Sequence, residues 1–375
     1  MNPTALPFDT DAMLAGLRPW IECESPTYDA QAVNRMMDIA GRDLAIAGAR
    51  VERIAGRLGY GDCVRATFQH ASAVPGILVM GHMDTVHPIG TLAALPFRSD
   101  GTRCYGPGIL DMKGGNYIAI EAIRQLQRAH IATRLPVTVL LTSDEEVGSP
   151  STRDLIEAEA ARHKYVLIPE PARSDGGVVT GRYAIARFRL ESTGKPSHAG
   201  ARLADGRSAI REMARQIIAI EDMTTEDCTF SVGVMNGGQW VNCVTTTCTG
   251  EALSMAKRQR DLDRGVAAML GLRATGNDVQ FKVERTVTRP VWEPDARTMA
   301  LWAHAQAIAR GLGYDIPAQS SGGGSDGNFT GAMGIPTLDG LGVAGDGFHT
   351  LTEHILIESL ARRGKLIAGL LATLE

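Results

Sequence analysis

Three apolar runs in this chain end abruptly in acids or imidazoles. Ile77-Leu-Val-Met80 leads into Gly81-His82, Val137-Thr-Val-Leu-Leu141 into Ser143-Asp-Glu-Glu146, and Tyr165-Val-Leu-Ile168 into Pro169-Glu170. A strand-length run without polar alternation reads as a strand buried on both faces, which requires helices packed on either side of a mostly parallel sheet. Residues 116–128 supply one such helix, with Ile120, Ile123 and Leu126 at helical spacing. Strands alternating with helices predict an α/β domain.

The pattern changes near Gly176-Gly177. Residues 183–190 alternate, with Ala184, Ala186, Phe188 and Leu190 on one side of a half-exposed strand. An amphipathic helix over 208–220, a strand over 230–234 and further alternation over 280–287 follow. Strands with one wet face belong to an antiparallel α+β module. After Arg289-Pro290 come a helix over 298–310, a glycine loop, a strand over 335–338 and a last helix over 356–371. We therefore expect a larger α/β domain, residues 1–176 and 289–375, interrupted by a smaller domain over 177–288. Two domains suit 375 residues, because single cores rarely grow past about 250–300.

Composition excludes several classes. Glycine contributes 42 residues, roughly 11% against a usual ~7%, yet without the third-position period of collagen. No apolar run reaches ~18 residues, so no membrane span is expected. The 38 basic and 42 acidic residues are well mixed, for a net charge of −4, and no basic stripe marks a nucleic-acid partner. Residues 1–20 lack the charged start and apolar stretch of a secretory signal. The six cysteines include no Cys-x-x-Cys pair, and Cys243 and Cys248, the closest two, read as buried thiols in a reducing compartment. A cytoplasmic protein acting on a small molecule is expected.

Ligands of open α/β sheets gather beyond the carboxyl ends of the strands. There stand His82 and Asp84, Asp111 in a glycine-rich loop, Glu145 and Glu146, and Glu170, joined late in the chain by His349. Carboxylates crowded together repel unless cations intervene, and no paired arginines accompany these. Divalent metal is the simplest answer. Two such ions carry +4 against −3 from Asp111, Glu146 and Glu170, and the remaining +1 favours a hydroxide drawn from water. Mixed nitrogen and oxygen ligands suit zinc, manganese or cobalt better than calcium.

Six segments now fall into line: Gly81-His-Met-Asp-Thr-Val86, Gly106-Pro-Gly-Ile-Leu-Asp-Met-Lys-Gly-Gly115, Asp144-Glu-Glu-Val-Gly148, Glu170-Pro171, Gly194-Lys-Pro-Ser-His-Ala-Gly200 and His349-Thr350. Together, and in this order along nearly the whole chain, they resemble the M20 metallopeptidase family, whose relatives include glutamate carboxypeptidases, aminoacylases and acetylornithine or succinyl-diaminopimelate deacylases. The resemblance implies that His82, Asp111, Glu146, Glu170 and His349 bind two metal ions, with Asp111 shared. It implies that Asp84 orients His82 and that Glu145 is the general base; spacing alone does not separate Glu145 from Glu146. The inserted module becomes a lid and dimerisation domain, and a homodimer or higher homo-oligomer is expected. His198, often supplied across the dimer in relatives, would stabilise an oxyanion, although its place after Pro196 equally suits a turn cap. Arg289 stands where relatives hold a substrate carboxylate, or else is a solvated strand end. Asn242 and the glycines Gly323 and Gly324 complete the expected substrate contacts.

The family pattern breaks in the inserted domain. Relatives carry Asn-x-x-Pro and then a strand ending Asp-x-Arg, whereas here Thr245 follows Asn242 in place of proline, and Leu253 and Met255 replace the acid and the arginine. The expected reaction is hydrolysis of a carbon–nitrogen bond, that of an amide in a small carboxylate-bearing molecule such as an N-acyl amino acid or dipeptide. An alternative keeps the site and replaces an aromatic amine by hydroxide, on a nitroanthranilate-type substrate. A metal-loaded binding protein without turnover is disfavoured, since a binder has no need of Glu145. Gly323-Gly-Ser-Asp-Gly327 spells a serine-hydrolase elbow, but no apolar strand precedes it.

Overall fold

A computed structural model describes residues 5–375. The chain divides into two compact units. One takes the chain up to Gly181 together with Pro294–Ser320 and Ser325–Glu375; the other takes Arg182–Glu293 and Ser321–Gly324. The insertion expected over 177–288 thus begins and ends five residues later. Strand Val178–Arg182, buried throughout, explains the later start.

The first unit is built on a six-stranded sheet. Its order is Ala49–Ile54, Cys63–Phe68, Val137–Thr142, Gly76–His82, His163–Leu167 and Thr337–Leu338. The last four strands run parallel, while Ala49–Ile54 and Cys63–Phe68 join antiparallel at one edge. All three apolar runs are therefore strands of the parallel part, and Gly76–His82 and Val137–Thr142 are buried at every position. Helices cover the sheet as such burial requires. Helix Gly114–Arg128 is buried along most of its length, and Ile357–Thr373 carries Leu360, Leu366, Ile367, Leu370 and Leu371 into the same core. Among the described residues no helix is long and apolar enough to cross a membrane.

The second unit is a four-stranded antiparallel sheet in the order Cys228–Gly237, Thr247–Ala256, Ala184–Thr193 and Gln280–Arg289. Ala184–Thr193 alternates buried and exposed positions, and its buried set, Ala184, Ala186, Phe188 and Leu190, forms a core with helices Ala209–Glu221 and Gln259–Gly271. Ser208 caps the first of these, its hydroxyl accepting from the Arg211 N–H. Strand Thr247–Ala256 escaped the sequence pattern because its buried side consists of Cys248, Gly250, Ala252, Ser254 and Ala256, too small to register as an apolar face. Leu253 and Met255 alternate with these and sit on the less buried side. The expectation of buried thiols needs one correction. Cys248 is buried, but Cys243 lies exposed in the loop before this strand. All six cysteines are free.

Candidate metal centre

His82 ends the central strand, Glu146 lies in the short turn that follows strand Val137–Thr142, and Glu170 comes just after strand His163–Leu167. Three neighbouring parallel strands thereby aim imidazole and carboxylates past one edge of the sheet. Two glycines allow this convergence. A Cβ on Gly81 would lie 2.1 Å from Asn116 Oδ1, and one on Gly115 would lie 1.8 Å from the Pro169 carbonyl oxygen. Side chains there would force the helix Gly114–Arg128 off the strand ends. Asn116 also donates to the His82 carbonyl at 2.7 Å.

Asp111 and His349 come from loops. The backbone leaves the helical region at both Asp111 and Met112, and the peptide bond between them is cis. His349 has φ 63°, the left-handed region that few residues other than glycine adopt. The two loops meet over the sheet edge, and Asp111 stands between two groups. Its Oδ1 is 3.1 Å from His82 Nε2, which is itself 3.7 Å from Glu170 Oε1. Its Oδ2 is 3.2 Å from His349 Nε2, which is 3.1 Å from Glu146 Oε2. One ligand atom from each of His82, Asp111 and Glu146 lies within 4.8 Å of the others.

Charge in this cluster is strongly perturbed. Burial, and then the neighbouring Asp111, push Glu170 well above the usual carboxylate range and also raise Glu146. Burial opposes a charged His82, but hydrogen bonds with Asp111 and Asp84 outweigh it and lift the imidazole well above its ordinary value. Bonds to Asp111 and Glu146 raise His349 to about 10. Burial would raise Asp111 too, yet its contacts with His349 and His82 prevail and hold it below the usual range. The site therefore concentrates anionic oxygen and rewards any cation placed there. Glu146 Oε1 adds a specific sign, being buried with no hydrogen-bond partner. Carboxylates and imidazoles with an orphaned buried oxygen are a donor set that fits divalent transition metal.

Asp84 organises the surroundings and is fully buried. Its Oδ1 accepts from the Glu145 N–H at 3.2 Å and its Oδ2 from the Glu146 N–H at 3.3 Å and the Thr27 hydroxyl at 2.8 Å. His82 Nδ1 lies 2.9 Å from the Asp84 carbonyl oxygen and 3.4 Å from its carboxylate. One acid thus fixes the ring of His82 and the turn bearing both glutamates. Glu146 faces His349, while Glu145 lies near enough to Glu170 to raise that carboxyl further. Ser325, in the elbow-like segment, donates to Asp339 at 2.6 Å and is buried.

Five other expected residues belong to the second unit. His198 is exposed, and its Nδ1 accepts from the N–H groups of Gly200 and Ala201 at 3.2 and 3.1 Å. The turn-cap reading is therefore correct for one nitrogen, and it leaves the proton on Nε2. Asn242 is brought beside it, since its carbonyl accepts from Ala199 N–H at 2.9 Å and Ser197 pairs with Val244 at 2.9 Å. Arg289 is no solvated strand end, being only 4% exposed. Its side chain packs on Gly324, where a Cβ would lie 2.8 Å from Arg289 Cδ. Gly323 accepts at its carbonyl from Arg182 at 2.6 Å. Arg182, a second buried guanidinium beside the glycine run, was not foreseen. Two residues near this candidate cluster were also missed. His87 looked like an ordinary core or surface histidine, and Glu353 carried no motif beyond standing four positions after His349; both are buried and bonded to each other.

The model for Peptidase family M20/M25/M40 matches residues 78–373. Carboxypeptidase G2 of Pseudomonas sp. (strain RS-16) is 30% identical over 374 residues, covering 97% of this chain and 89% of that protein. Succinyl-diaminopimelate desuccinylase of Thioalkalivibrio sulfidiphilus (strain HL-EbGR7) is 23% identical, covering 93% and 99%. Among solved structures, a tripeptidase from Staphylococcus aureus subsp. aureus Mu50 superposes with a TM-score of 0.77 at 21% identity, over 97% of this chain and 98% of that one. That likeness is one of fold.

Proposed function

As a member of peptidase family M20/M25/M40, this chain is a hydrolase acting on carbon–nitrogen bonds, and we propose that it cleaves the amide of an N-acyl amino acid or dipeptide with two divalent metal ions. His82 and Glu170 would hold one ion, His349 and Glu146 the other, with Asp111 contributing to both. The observation that carries this reading is the division of Asp111, one oxygen against His82 and the other against His349. Zinc, manganese or cobalt suits the donors. Bound there, such ions supply Lewis acidity toward a carbonyl oxygen and make water acidic near neutral pH.

The chain's own groups do the rest. Glu145 takes the proton of the attacking water and returns it to the leaving nitrogen. Asp84 keeps Glu145 and Glu146 in place through their N–H groups. His198 donates from Nε2 to the oxyanion. Arg289, aided by Asn242 and the Gly323-Gly324 backbone, holds the substrate carboxylate in a charge-assisted hydrogen bond. Relatives named as a carboxypeptidase and a desuccinylase support a carboxylate-bearing substrate. Exposed Val234, Met235, Trp240 and Val241 on the second unit support a homodimer or higher homo-oligomer. Six free cysteines suit a cytoplasmic setting.

The test is protein reconstituted with each metal and offered N-acyl amino acids, dipeptides and arylamines. Release of free amino acid from an amide is expected. Ammonia released from an anthranilate, with every amide left intact, would replace this reading by the aminohydrolase one.

A further inference from the structure

We propose that Glu353, clamped by His87, is the positioning residue that sets the spacing between the two halves of the metal centre. This rests on the two-metal reading and adds to it a residue that touches neither metal nor substrate. Glu353 is fully buried. Its Oε1 accepts from the N–H groups of Leu110 and Asp111 at 2.8 and 3.1 Å. Its Oε2 accepts from Gly108 N–H at 2.9 Å and stands 2.7 Å from His87 Nε2. Its own carbonyl accepts from Gly106 N–H at 3.4 Å.

Five hydrogen bonds from one residue are explained by the loop they hold. Gly108 is left-handed at φ 70°, and Asp111 is extended at φ −115°, ψ 98°, so this segment cannot offer its own N–H groups a regular helical acceptor. Buried N–H groups need partners, and Glu353 supplies three with one carboxylate. At its other end Glu353 belongs to the His349 loop. Its N–H reaches the Thr350 carbonyl at 3.4 Å, and Thr350 N–H closes a turn on Gly347 at 3.0 Å around His349. One side chain therefore ties the segment bearing Asp111 to the segment bearing His349.

The two halves of the centre depend on this tie unequally. His82 and Glu170 are carried by adjacent parallel strands whose register the sheet fixes. His349 comes from the loop between the short strands Gly345–Asp346 and His354–Leu356, the second of which pairs with Arg103–Tyr105 ahead of the Asp111 segment. The 3.2 Å between its Nε2 and Asp111 Oδ2 therefore rests on this short pairing and on the Glu353 clamp rather than on the central sheet. Loss of the clamp should loosen the His349 and Glu146 half and spare the His82 and Glu170 half.

Manganese titrated by calorimetry into the metal-free full chain reads this directly. Wild type should take up two ions. Glu353→Gln keeps one acceptor oxygen but sets an amide NH2 against backbone N–H groups, so it should bind the first ion nearly as wild type and the second 10- to 100-fold more weakly, the usual cost of losing a partner behind a metal ligand. His87→Ala leaves the three backbone bonds in place and should weaken the same second step by less. Should Glu353→Gln fail to fold by circular dichroism, His87→Ala carries the test alone. Equal weakening of both steps, or no change in either variant, overturns the clamp while two ions in wild type leave the metal reading standing. No uptake by wild type overturns the metal reading itself.

Discussion

In the first unit three of the groups assigned to metal binding, His82, Glu146 and Glu170, stand at or just beyond the ends of buried parallel strands, while Asp111 and His349 reach them from loops. Asp84 alone accepts from Thr27, Glu145 and Glu146. In the second unit the groups assigned to the substrate stand on loops or at a strand end. The exposed ring of His198 accepts two turn bonds, and Leu253 and Met255 lie across from the core of their sheet. The difference teaches where each kind of change is tolerated. A metal-ligand cluster at a buried strand end cannot shift without breaking packing on several sides, whereas side chains on a half-wet sheet change at little cost to folding. Departures from the family pattern fall on the second kind of position.

Substitutions can break that contrast or sharpen it. Glu145→Gln, which removes the base but no ligand, should lower kcat by about 10²–10⁴ with both metals retained; intact activity would remove Glu145 from the mechanism. His198→Ala should lower kcat by about 10²–10³ and leave metal content unchanged. Loss of metal instead would make His198 a ligand and erase the division of labour between the units. Asp84→Asn should weaken metal binding about 10- to 100-fold, since His82 and the Glu145-Glu146 turn both lose their anchor. Arg289→Lys should raise KM about tenfold for carboxylate-bearing substrates with little change in kcat, the cost of one charge-assisted bond. An equal rise for an uncharged analogue would deny Arg289 its carboxylate.

The smallest effect concerns the thiols. Burial pushes Cys63 to about 12 and Cys104 to about 11, so at pH 8 almost none of either is thiolate, and that fraction grows only as pH climbs toward those values. Exposed Cys243 should therefore react first with a maleimide in the folded protein, and the buried pair only after unfolding. Early labelling of Cys63 would mean that the strand carrying it opens readily.

The parallel sheet was legible because its strands are unbroken apolar runs, and the cluster because its acids follow those runs directly. Glu145 and Glu146 were not separable by spacing, since adjacent residues differ only in direction; the fold turns Glu146 toward His349. Strand Ala49–Ile54 was invisible for another reason. It lies at the sheet edge with no position fully buried, so polar residues occupy it freely. Glu353 escaped because its partners are backbone N–H groups, which leave no mark in a sequence. Arg182 escaped likewise, its bond going to the Gly323 carbonyl, which lies 141 positions away.

Asp111 is proposed to offer its carboxylate to both ions, and metal content tests this most directly. Elemental analysis of the reconstituted wild type should give two ions per chain, and Asp111→Asn, with its fold verified, should lose affinity for both together. A single ion in the wild type, or two retained at full affinity without the Asp111 carboxylate, would contradict it.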